Sequence, residues 1–321
     1  MLYGIAFAVV FILVLILMPV FSKIAERFDF TDKPTERKKH KSPIPLSGGV
    51  AMFVAITVGL FIFVLFRENA YPALWAMLGG LVIIVAVGLV DDLSKANHKE
   101  FPVWPRLLVQ IGAASLAFAG GIRFTGFTNP FTEYYIYLPI ELQYILTVLW
   151  FVGLITAFNF MDGLDGLSGL LALGSGITFF VVALMMGQPE SAFMAIIFVA
   201  AVCGFLRYNL PPAKVYMGDS GAYLLGYMLA AISLHGVFKQ ATVISLTIPM
   251  LAMGVPIFDS ILVVFRRLIA RKPAHVADST GITHIHYRLL KDGMKPVHAV
   301  MIIFLLSACL NLASIIIMLA F

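Results

Sequence analysis

Charged residues are scarce in this sequence, and the polar stretches between its apolar runs are short. Asp, Glu, Lys and Arg make up only 12% of the 321 residues, whereas hydrophobic residues make up 61%. Ordinary soluble domains are about 45–50% apolar and about 25% charged. The composition therefore excludes a soluble domain of useful size and predicts a polytopic membrane protein with one integral membrane domain, residues 1–321.

Cysteine is almost absent as well. Cys203 and Cys309 both lie inside apolar runs, where a small apolar side chain packs well. We infer neither a disulfide nor a metal site from them.

The apolar runs predict an all-α protein with about ten transmembrane helices. About 20 apolar residues cross a bilayer as a helix, and lipid leaves the backbone groups no other partner. We interpret the first run as a retained anchor rather than a removable signal peptide. The N-terminus and, after ten spans, the C-terminus are then expected outside. The ten runs are 2–20, 50–66, 73–90, 107–120, 138–158, 167–186, 191–206, 221–234, 242–265 and 297–321.

The basic residues indicate which side faces the cytoplasm. With ten alternating spans, all but three of the 22 Lys and Arg residues fall on one side, the exceptions being Arg67, Arg123 and Lys239. By the positive-inside rule the basic side is cytoplasmic, and the net charge of +5 suits anionic lipids or phosphorylated substrates. Five carboxylates lie at the same ends of the spans and predict an active site there: Asp91, Asp92, Asp162, Asp165 and Asp219.

The segment 159–169 carries the densest polar group between two apolar runs. Asn159, Asp162 and Asp165 are spaced by three residues, so a helix would place them on one face. An ionisable group at a membrane span is a functional-site hypothesis by default. A glycine-rich helix contact is the structural alternative, but it does not explain two aspartates on one face.

A second polar group follows the third apolar run. Asp91 and Asp92 precede Lys95 by four and three residues, and this combination can handle phosphate or Mg²⁺. A helix end that meets water with a local ion pair is the alternative. Arg106 and Gln110 share a face at the start of the next run, although an arginine there can also extend to the lipid headgroups.

Asp219 lies in the glycine-rich segment 218–221, after a cytoplasmic connection. The segment superficially resembles a serine nucleophile motif, but a nucleophile needs a base and an oxyanion hole. A carboxylate ligand for Mg²⁺ fits the membrane setting better, because hard cations take carboxylate oxygens and keep positions for phosphate.

The last cytoplasmic loop contains His284, His286 and Arg288 among further basic residues. Alternating histidines could bind zinc, but no further ligands complete a tetrahedral site. Phosphate contact fits better, whereas adhesion to anionic lipid would leave the histidines unexplained. Asp259 stands seven residues before Arg266, and we expect these two to form a structural pair.

Together these segments resemble the polyprenyl-phosphate N-acetylhexosamine-1-phosphate transferase family of membrane enzymes. The resemblance covers nearly the whole chain, and its motifs stand in family order on one membrane face. The residues that carry it are 40–45 leading to 48–49, 91–95, 159–169, 209–221 and 284–288.

The resemblance implies transfer of a sugar 1-phosphate from a UDP-sugar to a polyprenyl phosphate lipid in the cell membrane, with release of UMP. Such a step initiates cell-envelope glycans such as teichoic acid or O-antigen. The resemblance also implies a requirement for Mg²⁺, which Mn²⁺ could replace, a broken ninth span and often a homodimer. We expect no nucleic-acid partner.

The resemblance further implies roles for individual residues. Asp219 would be the chief metal ligand, with Asp92 also at the metal, and Asp91 would deprotonate or orient the attacking phosphate. The other implied catalytic residues are Asp92, Asp162, His284 and His286. The implied substrate-binding residues are Lys41, Lys95, Arg106, Asn159, Asp165, Asn209 and Arg288.

The order of residues 284–288 is typical of the branch that uses UDP-N-acetylglucosamine. The muramoyl-pentapeptide branch carries consecutive histidines, and Tyr287 stands here where a third His is common in that branch. Transfer of phospho-N-acetylmuramoyl-pentapeptide is therefore the nearer alternative. A cation-coupled transporter is the alternative of another class, although transporter sites usually lie near the midplane between repeated halves and no repeat is visible.

Overall fold

The computed structural model describes residues 1–33, 42–65, 72–97, 101–129, 132, 134–236, 243–269 and 284–320. Lys41 lies outside them. Within these residues twelve helices and four short strands form. The elements are α1 (Leu2–Arg27), β1 (Thr31–Asp32), β2 (Ile44–Pro45), α2 (Gly48–Leu65), α3 (Pro72–Ala96), α4 (Val103–Ala119), β3 (Gly126–Thr128), β4 (Tyr135–Tyr137), α5 (Ile140–Met161), α6 (Leu167–Met185), α7 (Pro189–Asn209), α8 (Gly218–His235), α9 (Val243–Ala252), α10 (Gly254–Ile269), α11 (Ile285–Lys291) and α12 (Pro296–Ala320).

Among the described residues, each predicted apolar run overlaps a helix, and the ninth run overlaps both α9 and α10. In the described part of the chain, six helices are long and apolar enough to cross a membrane, namely α1, α3, α5, α6, α7 and α12. The prediction of an all-α membrane protein is supported to that extent. The number of ten spans, the outward termini and the cytoplasmic site remain predictions.

The strands form two small antiparallel pairs that the sequence reasoning did not anticipate. Thr31 pairs with Pro45 between β1 and β2, and Phe127 pairs with Ile136 between β3 and β4. The first pair brings the start of α2 to the loop before α8, because the Tyr216 N–H donates to the Pro45 carbonyl at 2.9 Å.

Helix α8 lies at the centre of the bundle, and all of its residues are buried. It packs against α3, α5 and α2. Its small residues permit this close packing: a Cβ on Gly226 would lie only 2.5 Å from the Cα of Ile155 in α5. A helix that is apolar on nearly all sides is expected to be buried in this way, and its first turn carries Asp219.

The ninth segment is broken at Met253, which agrees with the broken span that the resemblance implies. Pro256 has no N–H and cannot donate to the Ala252 carbonyl. The Ser175 hydroxyl of α6 donates to that carbonyl at 2.7 Å instead, and Ser314 of α12 donates to the Ile248 carbonyl at 3.2 Å. Ser175 thus satisfies a carbonyl that the broken helix would otherwise leave unpaired in lipid.

Candidate active site

The first turn of α8 is held closely between α2 and α3. The Gly49 N–H of α2 donates to the Met217 carbonyl at 3.1 Å. A Cβ on Gly49 would lie 2.5 Å from the Ser220 Oγ, and a Cβ on Gly88 of α3 would lie 2.7 Å from the Ser220 nitrogen. Glycine at both positions therefore lets three backbones approach around the start of α8.

Asp92 of α3 bonds to the backbone of α8. Its Oδ1 accepts from the Asp219 N–H at 2.6 Å, and its Oδ2 accepts from the Ser220 N–H at 3.1 Å. The first N–H groups of a helix lack acceptors within that helix. Asp92 provides the acceptors for two of these N–H groups in α8. The metal and catalytic roles expected for Asp92 remain predictions.

Asp91 is completely buried and faces different groups from those of Asp92. Its Oδ2 accepts from Arg106 Nη1 at 3.0 Å and from the Tyr223 hydroxyl at 2.9 Å. Its Oδ1 has no hydrogen-bond partner among the described residues. The structure therefore brings Asp91 and Arg106 together and leaves one buried carboxylate oxygen unpaired among the described residues.

Asp219 forms an ion pair with Lys95, whose side chain is about half exposed. Asp219 also lies near enough to Asp91 for their charges to interact. Lys95 and Arg106 thus place two cations beside two carboxylates at one end of α3.

Asp162 and Asp165 do not share a helical face, contrary to the expectation from their spacing. Helix α5 ends at Met161, and both aspartates lie in the turn before α6. Asp162 Oδ1 accepts from the Ser168 hydroxyl at 2.7 Å, whereas Asp165 Oδ2 accepts from the Ala213 N–H at 3.0 Å. The glycine-rich sequence forms a tight turn here, and Gly166 has a φ of +77°, which favours glycine.

Burial raises the pKa of the Asp162 carboxyl to about 7, and the negative charge of Asp219 adds to this shift. Burial disfavours the ionised form of a carboxyl. The Asp162 carboxyl is therefore harder to ionise than that of an exposed aspartate.

Asn209 joins the two loops beside this turn. Its Oδ1 accepts from the Gly166 N–H at 2.9 Å, and its Nδ2 donates to the Val215 carbonyl at 2.9 Å. Its amide is thus engaged with backbone on both sides, while Asn159 lies half-buried in the last turn of α5. The substrate-binding roles expected for these two residues remain predictions.

The expected pairing of Asp259 with Arg266 is replaced by a contact with the last loop. Asp259 Oδ2 lies 2.6 Å from His284 Nδ1, and its Oδ1 accepts from the Ile285 N–H at 2.9 Å. Arg288 Nη2 lies 3.6 Å from the same Oδ1. Arg266 is exposed, and the Asp259 carboxylate is engaged by groups of the last loop instead. Sequence reasoning missed Asp259 as a site residue, although a lone carboxylate in an apolar run was the signal.

His286 is fully buried, and neither ring nitrogen has a partner in the part of the chain that the structure describes. Its ring lies against Gly163, where a Cβ would collide with the imidazole. Burial lowers the pKa of His286 to about 4, with a contribution from His284. A neutral imidazole therefore contacts the turn that contains Asp162.

No group of three His, Cys, Asp or Glu side chains among the described residues could hold a metal ion alone. Mg²⁺ usually keeps several waters and binds one or two carboxylates together with substrate phosphates. Asp219, with the unpaired Oδ1 of Asp91 nearby, fits such an incomplete site, which a phosphorylated substrate would complete.

The chain is similar to known proteins over most of its length. The family described as glycosyl transferase family 4 matches residues 74–237. A probable undecaprenyl-phosphate N-acetylglucosaminyl 1-phosphate transferase of Bacillus subtilis is 33% identical over 312 residues, which cover 97% of this chain and 84% of the relative.

Two further relatives carry related names. A decaprenyl-phosphate N-acetylglucosaminephosphotransferase of Mycobacterium leprae is 30% identical over 88% of this chain and 75% of the relative. A phospho-N-acetylmuramoyl-pentapeptide-transferase of Staphylococcus carnosus is 32% identical over 72% of this chain and 74% of the relative. The family match and these identities confirm the predicted resemblance, and the chain belongs to glycosyl transferase family 4.

Proposed function

We propose that this protein transfers N-acetylglucosamine 1-phosphate from UDP-N-acetylglucosamine to undecaprenyl phosphate and releases UMP. The observation that carries the proposal is the pair Asp91 and Asp219 with Lys95 and Arg106 around it. Phosphoryl transfer depends mainly on positioning and charge stabilisation, and this group offers both at the end of an apolar bundle.

The reaction exchanges one phosphorus–oxygen bond for another. An oxygen of the lipid phosphate forms a bond to the phosphorus that carries the sugar, and the bond from that phosphorus to the oxygen of UMP breaks. Asp91 uses its available Oδ1 to orient the lipid phosphate, while Arg106 holds the other carboxylate oxygen. Lys95 and Arg106 offset negative charge on the phosphates.

Asp219 would hold Mg²⁺, or Mn²⁺ in its place, together with oxygens of the substrate phosphates. The bound ion would neutralise charge on the transferred phosphate. Lys95 already neutralises the charge of Asp219. When a metal ion binds Asp219 instead, the Lys95 ammonium can move to a substrate phosphate.

The nucleotide sugar would lie against the turn 162–166 and helix α11. Burial favours the neutral form of His286, and neither ring nitrogen is paired among the described residues, so the ring can donate one hydrogen bond and accept another. Arg288 contributes a cation beside His284. Asp162, Asp165 and Asn159 complete this side, and Lys41 is proposed for it from the sequence alone.

The acceptor explains why a reaction on a soluble nucleotide belongs to a membrane protein. We propose ten spans in the cell membrane, with both termini outside and the active site at the cytoplasmic face, where the basic residues collect. We propose a homodimer on the family resemblance alone.

The alternative substrate is UDP-N-acetylmuramoyl-pentapeptide, because the Staphylococcus carnosus relative is named for that reaction. The match with that relative covers 72% of the chain, whereas the match with the Bacillus subtilis relative covers 97%. The difference in coverage favours N-acetylglucosamine.

UMP release by the purified protein in detergent tests the proposal. We expect release from UDP-N-acetylglucosamine only with both undecaprenyl phosphate and Mg²⁺, and none with excess chelator. If only UDP-N-acetylmuramoyl-pentapeptide releases UMP, the alternative substrate would be the correct one. Absence of UMP with every UDP-sugar would favour the cation-coupled transporter.

A further inference from the structure

Two neighbouring aspartates of α3 have different surroundings. Successive residues on an α-helix are rotated by about 100°, so Asp91 and Asp92 cannot face the same group. Asp91 faces Arg106 and the Tyr223 hydroxyl. Asp92 faces the first turn of α8.

The bonds of Asp92 replace a helix cap that α8 otherwise lacks. Met217 occupies the N-cap position and provides no side-chain cap hydrogen bond. The N–H groups of Asp219 and Ser220 donate instead to the two oxygens of Asp92, at 2.6 and 3.1 Å. A side chain 127 residues away thus caps the helix that carries the proposed metal ligand.

The carboxylate of Asp92 is also enclosed. A Cβ on Gly218 would lie 2.5 Å from Oδ2 and 2.8 Å from Oδ1, and the φ of Gly218 is +69°. A cation that retains several waters has no access to oxygens that are covered by the α8 backbone.

We propose that Asp92 is a positioning residue, which clamps the first turn of α8 and so sets the direction of the Asp219 carboxylate, rather than a metal ligand. The clamp holds the backbone N–H groups of Asp219 and of Ser220, the residue that follows it, and so fixes the backbone that carries the Asp219 side chain. The proposal rests on the proposed function only in taking Asp219 as the metal ligand.

Amide hydrogen exchange in peptides covering residues 217–222 tests the clamp without any turnover. In Asp92→Asn, an NH₂ group replaces one acceptor oxygen and opposes a backbone N–H. We expect exchange at Asp219 and Ser220 to accelerate about tenfold or more, since a hydrogen bond to a charged group is lost. Asp91→Asn is the matched control, with the same change of charge, and should leave this exchange at the wild-type rate.

Mn²⁺ binding to the purified protein, followed by EPR spectroscopy, separates a positioning residue from a ligand. We expect Asp92→Asn to weaken Mn²⁺ binding by about tenfold, the cost of a misplaced hydrogen-bonded group, and Asp219→Asn to abolish it. A purely structural defect would lower the folded fraction without changing the affinity of the folded protein.

Two results would overturn the proposal. An unchanged rate of amide exchange in Asp92→Asn would contradict the clamp. Complete loss of Mn²⁺ binding in that variant would show that Asp92 is a metal ligand. If the variant does not fold, exchange in the wild type decides: rapid exchange at both amides without metal contradicts the clamp, and slow exchange supports it. Failure of UMP release alone would contradict the proposed function and leave these results standing.

Discussion

Asp259 of α10 and His284 before α11 lie 25 residues apart in sequence, and their side chains meet at 2.6 Å. The same carboxylate accepts from the Ile285 N–H. Asp259 therefore orients the imidazole of His284 and fixes the start of α11 at once.

Asp259→Asn should lower kcat/KM for the UDP-sugar by about ten- to hundredfold, since hydrogen bonds to a charged group are lost. UMP release at varied UDP-sugar concentration measures this effect. Arg266→Ala is the control, because the exposed Arg266 was the expected partner of Asp259. A loss of activity in Arg266→Ala but not in Asp259→Asn would contradict the contact with His284.

Ser175→Ala should destabilise the protein by about 1–3 kcal/mol, because the buried Ala252 carbonyl loses its donor. Ser175 is buried and donates across the break between α9 and α10. Thermal unfolding in detergent measures the change. Ser94→Ala is a matched control, since Ser94 is an exposed serine that bonds to the Val90 carbonyl of its own helix; equal losses in the two variants would argue against a special role for Ser175.

Gly88→Ala should impair both stability and activity. The added methyl group would meet the Ser220 backbone, and overpacking of this kind costs about 1–3 kcal/mol. Gly112→Ala in α4 is the control, because nothing lies within 4 Å of its Cβ position. Alanine there should stabilise the helix by about 0.5–1 kcal/mol. Equal unfolding temperatures in the two variants would contradict this prediction, because they would show that α3 and α8 can move apart without loss of stability.

Because His286 is buried in its neutral form, we expect the free energy of unfolding to fall in mild acid. Its pKa is lowered to about 4 in the folded protein from about 6.5 in an unfolded chain. The unfolded state therefore binds more protons between these values, and the contribution of His286 to stability is complete above pH 6.5 and declines as the pH falls to 4.

Asp162 has the opposite effect on the free energy of unfolding, over an overlapping range of pH. Its pKa is raised to about 7, so its contribution is complete below about pH 4 and is lost as the pH rises to 7. His286→Gln should reduce the loss on acidification, and Asp162→Asn should reduce the loss on alkalinisation. Unfolding temperatures between pH 4 and 8 test both, and identical pH profiles for wild type and variants would contradict both shifts.

Asp219→Asn should abolish UMP release while leaving the unfolding temperature within a few degrees of wild type. The substitution removes the charge proposed to bind Mg²⁺ but keeps a similar shape beside Lys95. Asp165→Asn offers a comparison, because Asp165 bonds to the Ala213 N–H and should retain more activity. Normal activity of Asp219→Asn at saturating Mg²⁺ would exclude Asp219 as the metal ligand.

The amino-acid sequence by itself determined where the helices lie. Apolar runs of about 20 residues form helices because lipid leaves backbone groups no other partner. The break at Met253 also has a local cause, since Pro256 cannot donate to Ala252. The motifs that carry the resemblance indicated which polar residues matter.

Only the tertiary structure decided what each of these side chains does. Asp91 and Asp92 are chemically identical neighbours, and their difference comes from the packing of α8 and α4 against two faces of one helix. Asp259 met His284 rather than Arg266 for the same kind of reason. The direction of a side chain depends on which distant helix packs against it, and spacing along the chain carries no information about that contact.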